Sequence, residues 1–183
     1  MRIPDTDRLE FDFMTRKDAE ALFELDQDED VMLYINGGHK ATMEDICQIS
    51  IPRLESYANE DEGWGIWKVT AKPTDTLETH LYLGWILVRP MDFFNEEPEW
   101  DNLELGWRFK QAAWGKGYAT EAARAVMDVV TAPNKINKAS AIAFEENLGS
   151  IKIMEKLGMS FLKKGIHKDP LGDLELVYYE RVI

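Results

Sequence analysis

The chain has 183 residues, 45% of them apolar, with eight Phe, six Trp and six Tyr, which suits one domain with a sizeable core and excludes a disordered chain. Its net charge of −13 is uneven: residues 1–104 carry 9 Lys and Arg against 25 Asp and Glu, and residues 105–156 carry 8 against 5. This distribution argues against nucleic acid or an anionic membrane surface as partner, favours cationic substrates such as amines for the acidic half, and leaves one basic stretch suited to an anion. Solubility alone also accounts for the acidic half.

Met1 to Asp7 lack the apolar core of a secretory leader, and no run approaches the ~18 apolar residues of a membrane-spanning helix. Arg8 to Met14 alternates as a first strand, with Leu9, Phe11 and Phe13 on one face. Thr15 with Asp18 three residues on reads as a capping box, opening a helix that buries Ala19, Leu22, Phe23 and Leu25. Val31 to Ile35 is expected as a short apolar turn stopped by Asn36-Gly37-Gly38. Thr42 opens a longer helix to about Asn59, breakable at Pro52, with Ile46, Ile49, Leu54 and Tyr57 toward the sheet. The lone Cys47 falls in this helix and is expected as a buried filler; without a disulfide partner it points to a reduced, cytoplasmic setting.

Gly63 to Thr70 is the second strand, followed by a turn at Lys72-Pro73-Thr74-Asp75. The third runs from His80 to Val88 and stops at Arg89-Pro90. Met91 to Trp100 is expected as a loop of the kind that often carries binding residues. Asn102 to Lys110 is the fourth strand, Glu121 to Thr131 a helix, Lys138 to Phe144 the fifth strand, and Asn147 to Leu157 a helix closed by Gly158. Met159 to Ile166 and Leu174 to Ile183 pair as a final hairpin. The order β-α-α-β-β-β-α-β-α-β-β is that of one mixed α/β domain over residues 1–183. His39, His80 and His167 show no metal-ligand spacing, so no metal is expected.

Between the fourth strand and its helix lies Trp114-Gly115-Lys116-Gly117-Tyr118-Ala119-Thr120-Glu121. A strand, a glycine turn and a helix start form an anion site, because first-turn N–H groups lack partners and the helix dipole adds positive charge. A pyrophosphate fits it. The P-loop pattern fails, since position 110 is Lys and position 117 is Gly, and the dinucleotide fingerprint fails at Thr120 and in its place after a fourth strand.

The stretch resembles the acyl-CoA-binding pattern of the GCN5-related N-acetyltransferases, and its Trp-Gly-Lys-Gly-Tyr-Ala-Thr-Glu-Ala form is similar to the RimJ/RimL branch, with Trp114 in place of the usual Gln or Arg. Asn147-Leu148-Gly149-Ser150 followed by Met154-Glu155-Lys156-Leu157-Gly158-Met159 resembles the same family's next helix. Thr6-x-Arg8-Leu9 and Glu104-Leu105-Gly106-Trp107 also match, so the resemblance spans essentially the whole chain. It implies a mostly antiparallel seven-stranded sheet splayed between strands four and five, with helices on both faces.

The same resemblance implies acetyl transfer from acetyl-CoA to an amine, a peptide N-terminus or a small molecule, by direct attack. Residues Trp114, Gly115, Lys116, Gly117, Tyr118, Ala119 and Thr120 would bind the CoA pyrophosphate, chiefly through backbone N–H groups. Phe109 would meet the pantetheine and thioester through its main chain, and Asn147 and Ser150 would reach the pantetheine arm. Ser150 is the candidate donor to the departing thiolate, and Glu104, beside Gly106 on the strand face opposite Leu103 and Leu105, is the candidate base. Neither a monomer nor a homodimer is favoured. The other function weighed is an acyl-CoA-binding module without turnover.

Overall fold

The computed structural model describes residues 1–74, 79–133 and 135–183. Seven strands, β1 (Leu9–Phe13), β2 (Gly65–Ala71), β3 (Leu81–Met91), β4 (Glu99–Phe109), β5 (Lys138–Ala143), β6 (Ser160–His167) and β7 (Leu174–Val182), form one sheet in the order β1-β2-β3-β4-β5-β7-β6. Every neighbouring pair is antiparallel except β4 and β5. That parallel pair has only three rungs, Asn102 opposite Lys138, Leu103 opposite Ala139 and Glu104 opposite Ser140. Beyond Glu104 the strands part, as the resemblance implies. Asp75, the last residue of the turn expected at 72–75, lies outside the described residues.

Helices cover both faces. α5 (Tyr118–Val130) makes the crossover a parallel pair requires, and buries Ala122, Ala123, Val126, Met127 and Val130 along one stripe. α6 (Leu148–Lys156) adds Met154 to the same cluster, which also takes Leu9, Val69, Ile86, Leu103 and Leu105 from the sheet. Each large side chain buried here contributes about 1.5–3 kcal/mol, so a charge at Val126 would disrupt the docking of α5. The opposite face is covered by α1 (Ala19–Leu25), α2 (Glu29–Asn36) and the helical run of α3 (Met43–Asp45), a π turn at Ile46–Ser50 and α4 (Ile51–Tyr57). No helix among the described residues is long and apolar enough to cross a membrane.

The Thr15–Asp18 capping box forms, although the turn it opens, Arg16–Asp18, is 3-10 before α1 begins. Three expectations need correction. Val31 to Ile35 lies inside a full helix, α2, whose N-cap Asp28 accepts from the N–H groups of Asp30 (3.0 Å) and Val31 (3.3 Å), and whose C-terminus is closed by left-handed Gly37. The run from Thr42 is not broken at Pro52; a π turn closed by Ile51 N–H on the Ile46 carbonyl precedes it, and Pro52 sits in the first turn of α4, where proline is tolerated. The wider turn shifts the apolar phase, so Ile51 is buried while Ile49 is 44% exposed and Cys47 faces out.

The third correction is at Arg89-Pro90, which does not stop β3; the strand continues to Met91. Lys110 N–H donates to Leu83 C=O at 2.8 Å. Alternation along this antiparallel pair then gives Arg108, Gly106 and Glu104 the bonds to β3, opposite Trp85, Leu87 and Arg89. Pro90 faces the β2 side, where pairing has already ended at Gly65 opposite Val88, so its missing donor costs nothing. At Gly84, opposite a register shift between Val69 and Thr70, a Cβ would sit 2.2 Å from the Arg108 carbonyl oxygen. Only glycine allows that approach. The irregularity resets the alternation, sending both Leu83 and Ile86 into the α5 cluster.

Candidate active site

The glycine turn begins where β4 ends. A 3-10 turn, Gln111–Ala113, leads into Trp114, whose indole N–H donates to the Phe109 carbonyl at 2.9 Å and ties the loop to the strand end. Gly115 (φ 71°) and Gly117 (φ 80°) are left-handed, and Gly117 is the N-cap of α5 with no side-chain cap. A Cβ on Gly115 would meet nothing within 4 Å, and one on Gly117 only Arg8 Nη2 at 3.6 Å. These glycines therefore answer to backbone shape and open space, not to packing. The first intrahelical bond runs from Glu121 N–H to Gly117 C=O (3.0 Å), so the N–H groups of Tyr118, Ala119 and Thr120 have no partner inside the helix. The strand, glycine turn and open helix N-terminus read from the sequence are present, next to the exposed Lys116.

The turn is tied to the first strand. The Thr6 hydroxyl donates to Glu121 Oε1 (2.6 Å), Arg8 Nε to Glu121 Oε2 (2.7 Å), and Arg8 Nη1 to the Lys116 carbonyl (3.1 Å), while the guanidinium lies 4.5 Å from the Tyr118 ring centroid. Burial pushes the Glu121 carboxyl up, but the Thr6 and Arg8 hydrogen bonds outweigh it and hold the group below its ordinary value. A depressed acid stabilises the fold above its unfolded value of ~4.3 and loses that contribution as pH falls through its folded value. The stability advantage of the native chain over Glu121→Gln should thus shrink between pH 6 and pH 3 in urea unfolding. An advantage constant with pH would mean that the tie carries no ionic component.

At the other end of the site, the gap between β4 and β5 exposes main-chain groups. With Arg108, Gly106 and Glu104 bonded to β3, the N–H and C=O groups of Leu105, Trp107 and Phe109 point toward the side where β5 has moved away. The Phe109 carbonyl is taken by Trp114, leaving its N–H. The Phe109 side chain is core. Across the gap, Asn147 caps α6 by accepting from Ser150 N–H at 3.1 Å. Ser150 Oγ accepts from Trp107 Nε1 at 3.2 Å, so β4 and α6 meet through side chains where the strands no longer pair.

Glu104 behaves differently from a free base. It occupies the last rung before the gap, on the face expected, but it is 4% exposed and held on both oxygens by Arg89, Nε to Oε2 at 2.7 Å and Nη2 to Oε1 at 3.0 Å. Burial pulls the Arg89 guanidinium down and the Glu104 carboxylate more than offsets it, leaving Arg89 above its ordinary value. Protonating Glu104 would strand a buried cation. Glu104, the candidate base, is thus one half of a buried ion pair with Arg89 and not an exposed carboxylate.

Around that pair lies a cluster that the sequence did not reveal. The Arg89 guanidinium sits 5.2 Å from the Phe94 ring and 5.8 Å from Tyr57, and Arg53 stacks on Phe94 at 3.7 Å while pairing with Asp169 of the β6–β7 connection. His167, read as isolated, is buried with Nδ1 3.2 Å from the Tyr178 hydroxyl and 3.6 Å from Asp92. Burial, then the Asp92 and Glu104 carboxylates, push Tyr178 up to about 12, so it stays protonated. From α2, the Tyr34 hydroxyl reaches the Glu146 carbonyl (3.3 Å), bridging to the β5–α6 connection. Among the described residues, no group of His, Cys, Asp and Glu could hold a metal ion.

An open helix N-terminus and a sheet that splits after three rungs of β4–β5 pairing leave main-chain N–H groups of both elements without partners inside those elements. Residues 8–160 match the family described as the Acetyltransferase (GNAT) domain. The chain is 30% identical over 164 residues to the uncharacterized N-acetyltransferase YnaD of Bacillus subtilis, covering 87% of this chain and 83% of YnaD. A GNAT-family acetyltransferase from Bacillus anthracis shares its fold with a TM-score of 0.72 at 27% identity, over 100% of this chain and 98% of that one. RimL, a ribosomal L7/L12 alpha-N-protein acetyltransferase solved with coenzyme A, gives 0.74 over 100% and 98%; at 14% identity the likeness is one of fold. The chain belongs to the GNAT acetyltransferase family. It is, accordingly, an N-acetyltransferase.

Proposed function

We propose that the protein moves an acetyl group from acetyl-CoA to a primary amine, by direct attack while both are bound. The observation that carries this reading is the uncapped N-terminus of α5 behind Gly115 and Gly117, opening beside the unpaired stretch of β4. The pyrophosphate of CoA lies on the N–H groups from Gly115 to Thr120, with the main chain of Trp114 at the entrance and the Lys116 ammonium adding charge. Arg8 is committed to Glu121 and serves the loop's shape instead.

The Phe109 N–H and the main chain of Trp107 line the place for the pantetheine and thioester. A preorganised N–H aimed at the developing oxyanion is worth about 3–4 kcal/mol of barrier. The Asn147 side-chain N–H group, whose oxygen caps α6, extends to the pantetheine arm, and Ser150 gives its proton to the departing thiolate. The amine enters on the face of Arg89, Glu104 and Tyr178. There the ion pair shapes the floor, and Glu104 does not take the amine's proton.

For the acceptor we infer a RimJ/RimL-like choice, a protein N-terminus, with a small amine as the second reading. The glycine-turn variant supports the first, and the acidic first 104 residues suit a cationic acceptor of either kind. A cytoplasmic setting follows from the same assignment, as a monomer or homodimer. Release of free thiol from acetyl-CoA, followed over a panel of N-terminal peptides and small amines, tests the reading. Turnover is expected with at least one peptide class. Micromolar acetyl-CoA binding with no thiol release on any amine would overturn it.

A further inference from the structure

We infer that Trp107 is a positioning residue that sets the Ser150 hydroxyl for proton donation to the departing thiolate; the inference rests on the acetyl-transfer reading above. An indole N–H can only donate, and a serine hydroxyl has one proton and two lone pairs. The bond from Trp107 Nε1 to Ser150 Oγ therefore uses a serine lone pair and leaves the serine proton to be given away. In a helix that proton ordinarily returns to the carbonyl four residues back, here Glu146. The Glu146 oxygen is already engaged, by Leu148 N–H at 2.9 Å and by the Tyr34 hydroxyl at 3.3 Å. Among the described residues, Trp107 is the one recorded partner of Ser150 Oγ.

The placement of Trp107 gives this bond its reach. It lies three residues past the last β4–β5 rung, in the stretch that has parted from β5. Its main-chain groups face the gap, and its side chain crosses to the first turn of α6. One residue thus holds the strand that meets the acyl group at a fixed distance from the hydroxyl that meets the sulfur. As the amine nitrogen bonds to the carbonyl carbon, the C–S bond breaks and sulfur takes the Ser150 proton. The attacking amine is neutral, its ammonium proton already given to solvent; the proton the nitrogen sheds on attack restores the serine hydroxyl, so in this step one proton passes from amine to thiol.

Trp107→Phe keeps an aromatic ring, smaller than the indole, and removes the N–H. In the full chain, kcat should fall about 5- to 10-fold, the scale of one hydrogen bond, with KM for acetyl-CoA and the unfolding midpoint unchanged. Ser150→Ala should lower kcat further, and adding Trp107→Phe to it should cost nothing more, because the tryptophan acts through the serine. If Trp107→Phe shifts the unfolding midpoint, benzothienylalanine at 107, which replaces the N–H by sulfur at nearly constant shape, gives the same comparison. A full additive loss in the Ser150→Ala background, or a change confined to KM, overturns the positioning role. A large loss in Ser150→Ala with none in Trp107→Phe overturns it too, while leaving the serine's own role intact. Full kcat in Ser150→Ala removes the proton-donor reading, and this inference with it.

Discussion

Gly117→Trp is expected to weaken acetyl-CoA binding at least 100-fold by titration calorimetry while leaving the fold in place. Gly117 holds φ 80° and its missing Cβ points to open space, with Arg8 Nη2 at 3.6 Å as the nearest group. A tryptophan there suffers left-handed strain of about 1–3 kcal/mol, tolerable for a domain of this size. Its ring would fill the space in front of the Tyr118, Ala119 and Thr120 N–H groups, where the proposed reading puts the pyrophosphate. Losing the phosphate site is the larger effect, since hydrogen bonds to a charged partner are each worth about 1.5–3 kcal/mol. Unchanged affinity would show that the anion sits elsewhere.

Glu104→Gln should unfold at markedly lower urea, a loss of about 3–5 kcal/mol, because it leaves the Arg89 charge buried without compensation. Replacing both partners with apolar residues, Arg89→Met with Glu104→Leu, should recover most of that stability. The pair of measurements separates two roles for one residue. A Glu104→Gln protein as stable as the native chain but without turnover would restore Glu104 as the catalytic base. A destabilised protein with turnover proportional to its folded fraction assigns it to the architecture.

The glycine turn and helix start proposed to hold CoA were legible as backbone geometry because that geometry is local. The two glycines with their helix start form one short run of residues and the Asn147–Ser150 cap another, and each shows its geometry within that run. The acceptor half was not, because it is made of pairings between distant residues. Nothing near Glu104 in the sequence announces Arg89, whose partner is set by the β3–β4 register, and the register includes a proline in the strand. His167 looked isolated for the same reason: Tyr178 and Asp92 reach it only once β6 and β7 have paired and β3 has ended. Cys47 and Ile49 went the wrong way through one π turn, an irregularity without a period to read. The α2 helix, by contrast, carried its signals openly in Asp28 and Gly37, and only its brevity hid it.

The three-rung contact between β4 and β5 has a consequence for how the chain finds its shape. β5, β6 and β7 take nearly all their pairing from residues 138–182: β6 and β7 close a short hairpin, and β5 pairs with β7 across α6 and β6. β1 to β4 likewise pair in sequence order, strand by strand. The sheet is thus two halves, each paired within its own part of the chain, joined along a short seam, with α5 as the strap between them. The cleft where the proposed reaction would bring amine and thioester together is the part of that seam left unsewn.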